Sequence, residues 1–125
     1  MSAGGKNVLL VDDDEIQLVL RAQILEGAGF TPVSATTAAQ ALEFLRSVPA
    51  GAFDLVVTDH LLDDTLGTDL VRTIRSEQPR LPIIVVSGLP GLEQEYAGLD
   101  VHFQAKPGTP AEFLALVRDV TQRTD

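Results

Sequence analysis

Three short runs in this chain, "NVLLV" at 7–11, "FDLVVT" at 53–58 and "LPIIVVS" at 81–87, are apolar at almost every position. A strand with one wet face alternates apolar and polar residues, whereas a run apolar throughout is a strand covered on both faces. All three are far too short to cross a membrane. Two further runs, "TPVSA" at 31–35 and "VHFQA" at 101–105, share their richness in Val and Phe and their Pro, Gly or Asp boundaries. Between the runs lie longer amphipathic segments, at Glu15 to Gly27, Ala38 to Ser47, Gly67 to Gln78, Leu92 to Gly98 and Pro110 to Arg123. Five strands in strict alternation with five helices predict an α/β fold, a doubly wound parallel five-stranded sheet between two helical layers with right-handed crossovers.

Local signals agree with these boundaries. The first helix runs into "GAGF", where glycine can adopt a left-handed C-cap, and Thr36 and Thr37 precede the second as N-cap candidates. Thr109, Pro110 and Glu112 together mark the start of the last. At 125 residues and 45% hydrophobic content there is material for one core, and a formal charge of -9 opposes binding to phosphate backbones and anionic membranes. With no Cys, disulfide and thiolate chemistry is absent. The first residues lack the basic start and apolar stretch of a signal peptide. A cytoplasmic, soluble protein is expected, with a flexible N-terminus at 1–6 and one domain at 7–123.

In such sheets ligands bind beyond the carboxyl ends of the strands. The first apolar run ends at Asp12 and Asp13, the third at Asp59, the fourth at Ser87 and the fifth at Lys106. Three carboxylates, a hydroxyl and an ammonium group therefore converge on one rim. Carboxylate oxygens suit Mg²⁺, and the metal, hydroxyl and ammonium together can neutralise a phosphoryl group. Neither G-x-G-x-x-G nor G-x-x-x-x-G-K-[ST] is present, so nucleotide binding has no support.

On these residues the chain resembles a response-regulator receiver domain of bacterial two-component signal transduction, from Lys6 to about Val120. The resemblance covers the acidic pair Asp12 and Asp13, the acceptor Asp59, Ser87, the Lys106 and Pro107 dipeptide, Gly67 eight residues beyond the acceptor, and an aromatic at Phe103. It implies a (βα)5 flavodoxin-like three-layer sandwich with strand order 2-1-3-4-5. It implies that Mg²⁺ (or Mn²⁺) is held by Asp13 and Asp59, by Asp12 through water, and by the backbone carbonyl of Leu61. Asp59 would accept a phosphoryl group from a sensor histidine kinase or histidine phosphotransfer protein, with Lys106 and Ser87 binding the phosphoryl oxygens. Ser87 and Phe103 would form the conformational switch, and Pro107 is a cis-peptide candidate. No separate substrate turnover is expected, and no direct nucleic-acid or membrane partner; a homodimer is compatible.

The sequence also departs from the family pattern. Leu62 and Asp63 stand where receivers commonly carry Met-Pro, and "HLLDD" resembles the loop of receivers attached to sensor kinases. Leu61 and Leu89, each two residues beyond a site residue, could shield an acyl phosphate from water and predict slow self-dephosphorylation. The segment between Ser87 and Lys106 is about one helical turn short, so its helix is expected to be short or frayed.

Other readings remain open at this point. Asp12 and Asp14 have the spacing of a haloacid-dehalogenase-like phosphohydrolase, though its late acidic pair and room for a cap are missing. A phosphorylation-independent receiver-like binding module is a second alternative, opposed by the intact set of site residues. Asp14 and Glu15 read as a helix start favoured by the macrodipole, Asp63 and Asp64 as loop or cap residues, and His60 and His102 as exposed or partly buried side chains rather than zinc ligands. Leu18 lies off the stripe of Ile16, Leu20 and Ile24, which marks it as the candidate contact for a histidine-bearing helical bundle.

Overall fold

The apolar runs become five parallel strands because each has somewhere to bury both faces. A computed structural model of the chain describes residues 6–106 and 108–122. Its strands are β1 (Asn7–Val11), β2 (Thr31–Ala35), β3 (Leu55–Asp59), β4 (Ile83–Ser87) and β5 (His102–Ala105). They form one sheet in the order β2-β1-β3-β4-β5, with every pairing parallel. Leu9, Val11, Val56, Ile83 and Val85 point to one face, under helices α2 (Ala38–Arg46) and α3 (Gly67–Glu77). Val8, Leu10, Leu55, Val57, Ile84 and Val86 point to the other, under α1 (Glu15–Gly27) and α4 (Pro110–Gln122). Among the described residues no helix is long and apolar enough to cross a membrane.

The predicted caps at Thr37, Gly29 and Thr109 form, and Asp14, expected only to begin a helix, caps α1. Asp14 Oδ1 accepts from the N–H groups of Ile16 at 3.0 Å and Gln17 at 3.4 Å, and Thr37 Oγ1 accepts from Gln40 N–H at 3.1 Å. At the end of α1, Phe30 N–H donates to Leu25 O and Gly29 N–H to Glu26 O, with Gly29 at φ 92°. This is a Schellman stop, which brings Phe30 against the core that holds Leu25. Thr109 and Glu112 cap α4 reciprocally.

Two expectations require correction. Leu92 to Gly98 does not form an α-helix; it is a single 3₁₀ turn, Leu92–Tyr96, between Gly91 and Gly98, both at positive φ. Arg75 of α3 fastens the chain on the far side of this turn, donating to the carbonyls of Leu99 at 2.6 Å and Asp100 at 2.8 Å, and it also donates to that of Leu81 at 2.6 Å. Leu18 is not an exposed contact but is 4% exposed in the core beneath α1. Helix α1 carries apolar residues in two phases, so its periodicity alone admits either buried face. The phase that packs inward is Leu18, Arg21 and Leu25, leaving Ile16 at 70% and Leu20 at 48% exposure in solvent with Val19.

The expected flexible N-terminus at 1–6 falls on residues 1–5 outside the described set. Lys6 is described, its carbonyl accepting from Thr31 N–H at 2.9 Å. The end expected at 123 also lies outside the described residues.

Candidate functional site at the carboxyl rim of the sheet

Parallel strands in this order deliver β1, β3 and β4 side by side, so the residues after them share one rim. Asp12, Asp13 and Asp59 each present a carboxylate oxygen to one small space, the three atoms within 4.8 Å of one another. Asp12 is buried, and Asp13 and Asp59 are half-buried. Three oxygen donors of this hardness and spacing fit a divalent cation such as Mg²⁺.

Each carboxylate is held differently. Asp59 Oδ1 accepts from the backbone N–H of His60 at 2.9 Å, and its Oδ2 from Lys106 Nζ at 3.2 Å. Asp12 Oδ1 accepts from Asp14 N–H at 2.9 Å, and its Oδ2 from Arg21 Nη1 at 2.8 Å. Among the described residues Asp13 has no cation of this kind. A hydrogen bond with Asp63, then burial, then the Asp63 charge hold its carboxyl above the usual carboxylate range.

The remaining predicted residues fall around this group. Ser87 ends β4, and its Oγ accepts from Leu89 N–H at 3.0 Å, tying the hydroxyl into its own loop. Leu61 is half-exposed on the rim and bridges to Leu66. Phe103 packs inward, its ring edge-on to Tyr96 at 5.5 Å between centroids. Pro107 lies outside the described residues. Asp64 accepts from the N–H groups of Ala38 and Ala39, both at 3.1 Å, so it binds the loop after β3 to the start of α2. Asp14 is committed to its cap, which leaves it unsuited to the acid role that a phosphohydrolase needs from it.

Two features were missed by sequence reasoning. Arg21 is a cation in phase with the buried stripe of α1, which was the signal available for it. His60, expected to be exposed or partly buried, is instead 4% exposed, because its Nδ1, 2.8 Å from Tyr96 Oη, gives the buried ring a partner and joins the residue after Asp59 to the 3₁₀ turn. Nothing in the spacing of His60 and Tyr96 foretells that contact. Gly67 explains why the turn comes so close: a Cβ there would lie 2.5 Å from Tyr96 Oη and 2.9 Å from the Asp59 carbonyl oxygen.

A family model for the response regulator receiver domain matches residues 8–118. The chain belongs to the response regulator receiver family. Transcriptional regulatory protein GltR of Pseudomonas aeruginosa is 32% identical, over 98% of this chain and 52% of that protein. CusR of Escherichia coli is 30% identical, over 93% of this chain and 51% of that protein. The receiver thus spans about half the length of these curated relatives. A receiver protein structure from Sinorhizobium medicae superposes with a TM-score of 0.86 at 31% identity, covering 99% of this chain and all of that one. The Vibrio cholerae chemotaxis regulator CheY4, at 23% identity, shares the fold with a TM-score of 0.84, over 93% of this receiver and 98% of that chain.

Proposed function

We propose that this receiver takes a phosphoryl group from the phosphohistidine of a histidine kinase or phosphotransfer protein onto Asp59. The observation that carries the reading is the Asp59 carboxylate itself, oriented by His60 N–H and Lys106 Nζ beside Asp12 and Asp13. Asp12, Asp13, Asp59 and the Leu61 carbonyl would hold Mg²⁺, which when bound adds positive charge against the phosphoryl oxygens.

The protein's own groups perform the transfer. An oxygen of Asp59 attacks phosphorus in line as the phosphorus–nitrogen bond breaks, and its electron pair leaves on the donor imidazole. Lys106 turns from the free carboxylate to the new phosphoryl oxygens, where its charge stabilises the transferring group. Ser87 Oγ–H donates to a phosphoryl oxygen once it releases the Leu89 amide, which draws the loop after β4 inward. Movement of that loop is relayed to Phe103 and the β5 edge, a local charge event that biases two arrangements. The half-exposed Leu61 and Leu89 flank the rim and favour slow hydrolysis of the aspartyl phosphate. With Leu18 in the core, the docking face for a histidine-bearing helix is the exposed apolar set Ile16, Val19 and Leu20. The groove beside it is lined by Gln17, Ile24, Thr109 and Pro110.

Phosphoramidate, a small donor with a phosphorus–nitrogen bond, tests the reading. With Mg²⁺ the intact mass should rise by one phosphoryl group, and chelation of Mg²⁺ should prevent it. Incorporation that proceeds equally in Asp59→Asn would contradict the proposal.

A further inference from the structure

The buried partner of Asp12 is a permanent cation. Arg21 sits on the inward face of α1 between Leu18 and Leu25, and helical side chains lean toward the N-terminus, which carries its guanidinium up to the sheet rim. There Nη1 meets Asp12 Oδ2 at 2.8 Å, with the two side chains 10% and 1% exposed. A guanidinium does not lose its proton in a protein, so this charge is present at every working pH. The second cation of the site differs. Lys106 reaches Asp59 at 3.2 Å with 35% of its side chain exposed, free to swing toward solvent or a phosphoryl group.

We propose that Arg21 is a resident counter-cation of the acidic site, which positions Asp12 and competes with the divalent ion for its charge, so that it sets how tightly this chain binds Mg²⁺. The proposal rests on the reading of the rim as a Mg²⁺ site. Asp12 has both oxygens engaged before any ion arrives, one by Arg21 and one by Asp14 N–H. Whichever Asp12 oxygen an incoming cation draws on already accepts a hydrogen bond, and the cation feels the guanidinium as a like charge at short range. In return the pair lets Asp12 remain buried without the metal, where a lone carboxylate would be costly. Arg21 is thus a positioning residue that exchanges metal affinity for a folded metal-free state.

Calorimetric titration with MgCl₂, paired with thermal melts, tests this in the full chain. Arg21→Gln retains a hydrogen-bond donor for Asp12 but removes the charge, and should bind Mg²⁺ about tenfold more tightly. It should melt lower than wild type without the ion and gain more from adding it. Arg21→Lys retains the charge and should bind Mg²⁺ close to the wild-type value even where its melting temperature falls. An Arg21→Gln protein that folds with unchanged or weaker Mg²⁺ affinity would overturn the proposal while leaving the metal reading intact. Should Arg21→Gln fail to fold, an Arg21→Lys protein with altered affinity would overturn it and one with wild-type affinity would support it. Absence of saturable Mg²⁺ binding in the wild type would overturn both readings.

Discussion

The phenol oxygen of Tyr96 lies 2.8 Å from Nδ1 of His60, so the residue after Asp59 is bonded to the 3₁₀ turn beyond β4. Both residues are buried, and the Tyr96 ring also packs edge-on against Phe103. The loop after β3 therefore meets β5 at one side chain.

Tyr96 should make stability fall in alkali. Burial first, then the charges of Glu95, Asp59 and Asp69, push its phenol above the ordinary value of 10.0. The folded state holds this proton more tightly than the unfolded chain, so the stabilisation is complete below pH 10 and is lost as pH rises above it, by up to about 1.4 kcal/mol per pH unit. Tyr96 is the single tyrosine of the chain. Phenolate absorbance should thus appear together with unfolding in denaturant melts at rising pH, and an earlier, separate rise would contradict the burial argument. Tyr96→Phe should remove the pH dependence and cost about 1 to 2 kcal/mol at neutral pH by leaving His60 Nδ1 without its partner.

Gly67→Ala should destabilise the protein by about 1 to 3 kcal/mol, because the added methyl meets the Asp59 carbonyl and His60 Cα as well as the movable phenol. In urea melts the double variant with Tyr96→Phe should lose less than the two single losses added together, but by only part of the Gly67→Ala cost, since two of the three contacts are backbone.

Helix α1 supplies a contrast of phase. Leu18→Asp places a charge in the core and should cost about 4 kcal/mol. Val19→Asp, at 55% exposure, should leave the melting temperature nearly unchanged. It should slow transfer from a phosphorylated histidine protein without affecting phosphorylation by a small donor. Equal rates with both donors would remove α1 from the docking surface.

Arg75→Ala should cost about 2 to 3 kcal/mol, since one guanidinium holds the carbonyls of Leu81, Leu99 and Asp100. Hydrogen exchange should locate the loosening at 97–101 rather than across the sheet.

Strand ends were legible in the sequence because the continuous apolar runs are short, rich in Val and Ile and bounded by Pro, Gly or Asp, as strands covered on both faces are, and parallel topology then carries Asp12, Asp59, Ser87 and Lys106 to one rim. Caps at Thr37 and Thr109 were legible because they rest on local bonding, and Asp14 was legible as a helix start though not as its cap. The phase of α1 was not, since Ile16, Leu20 and Ile24 are as apolar as the Leu18 and Leu25 that pack, and Arg21 hid Asp12's partner within the buried stripe. The bond from His60 to Tyr96 joins residues 36 apart across a turn that forms only through tertiary contacts. No local pattern encodes it.

The central claim is that Asp59 is the acceptor, and the most direct measurement is the residue-level location of phosphate after incubation with acetyl phosphate and Mg²⁺. The account predicts one phosphoryl group, on the peptide that carries Asp59, and none in Asp59→Asn. A phosphoryl group located on Asp12, Asp13 or any other residue of the wild type would contradict it.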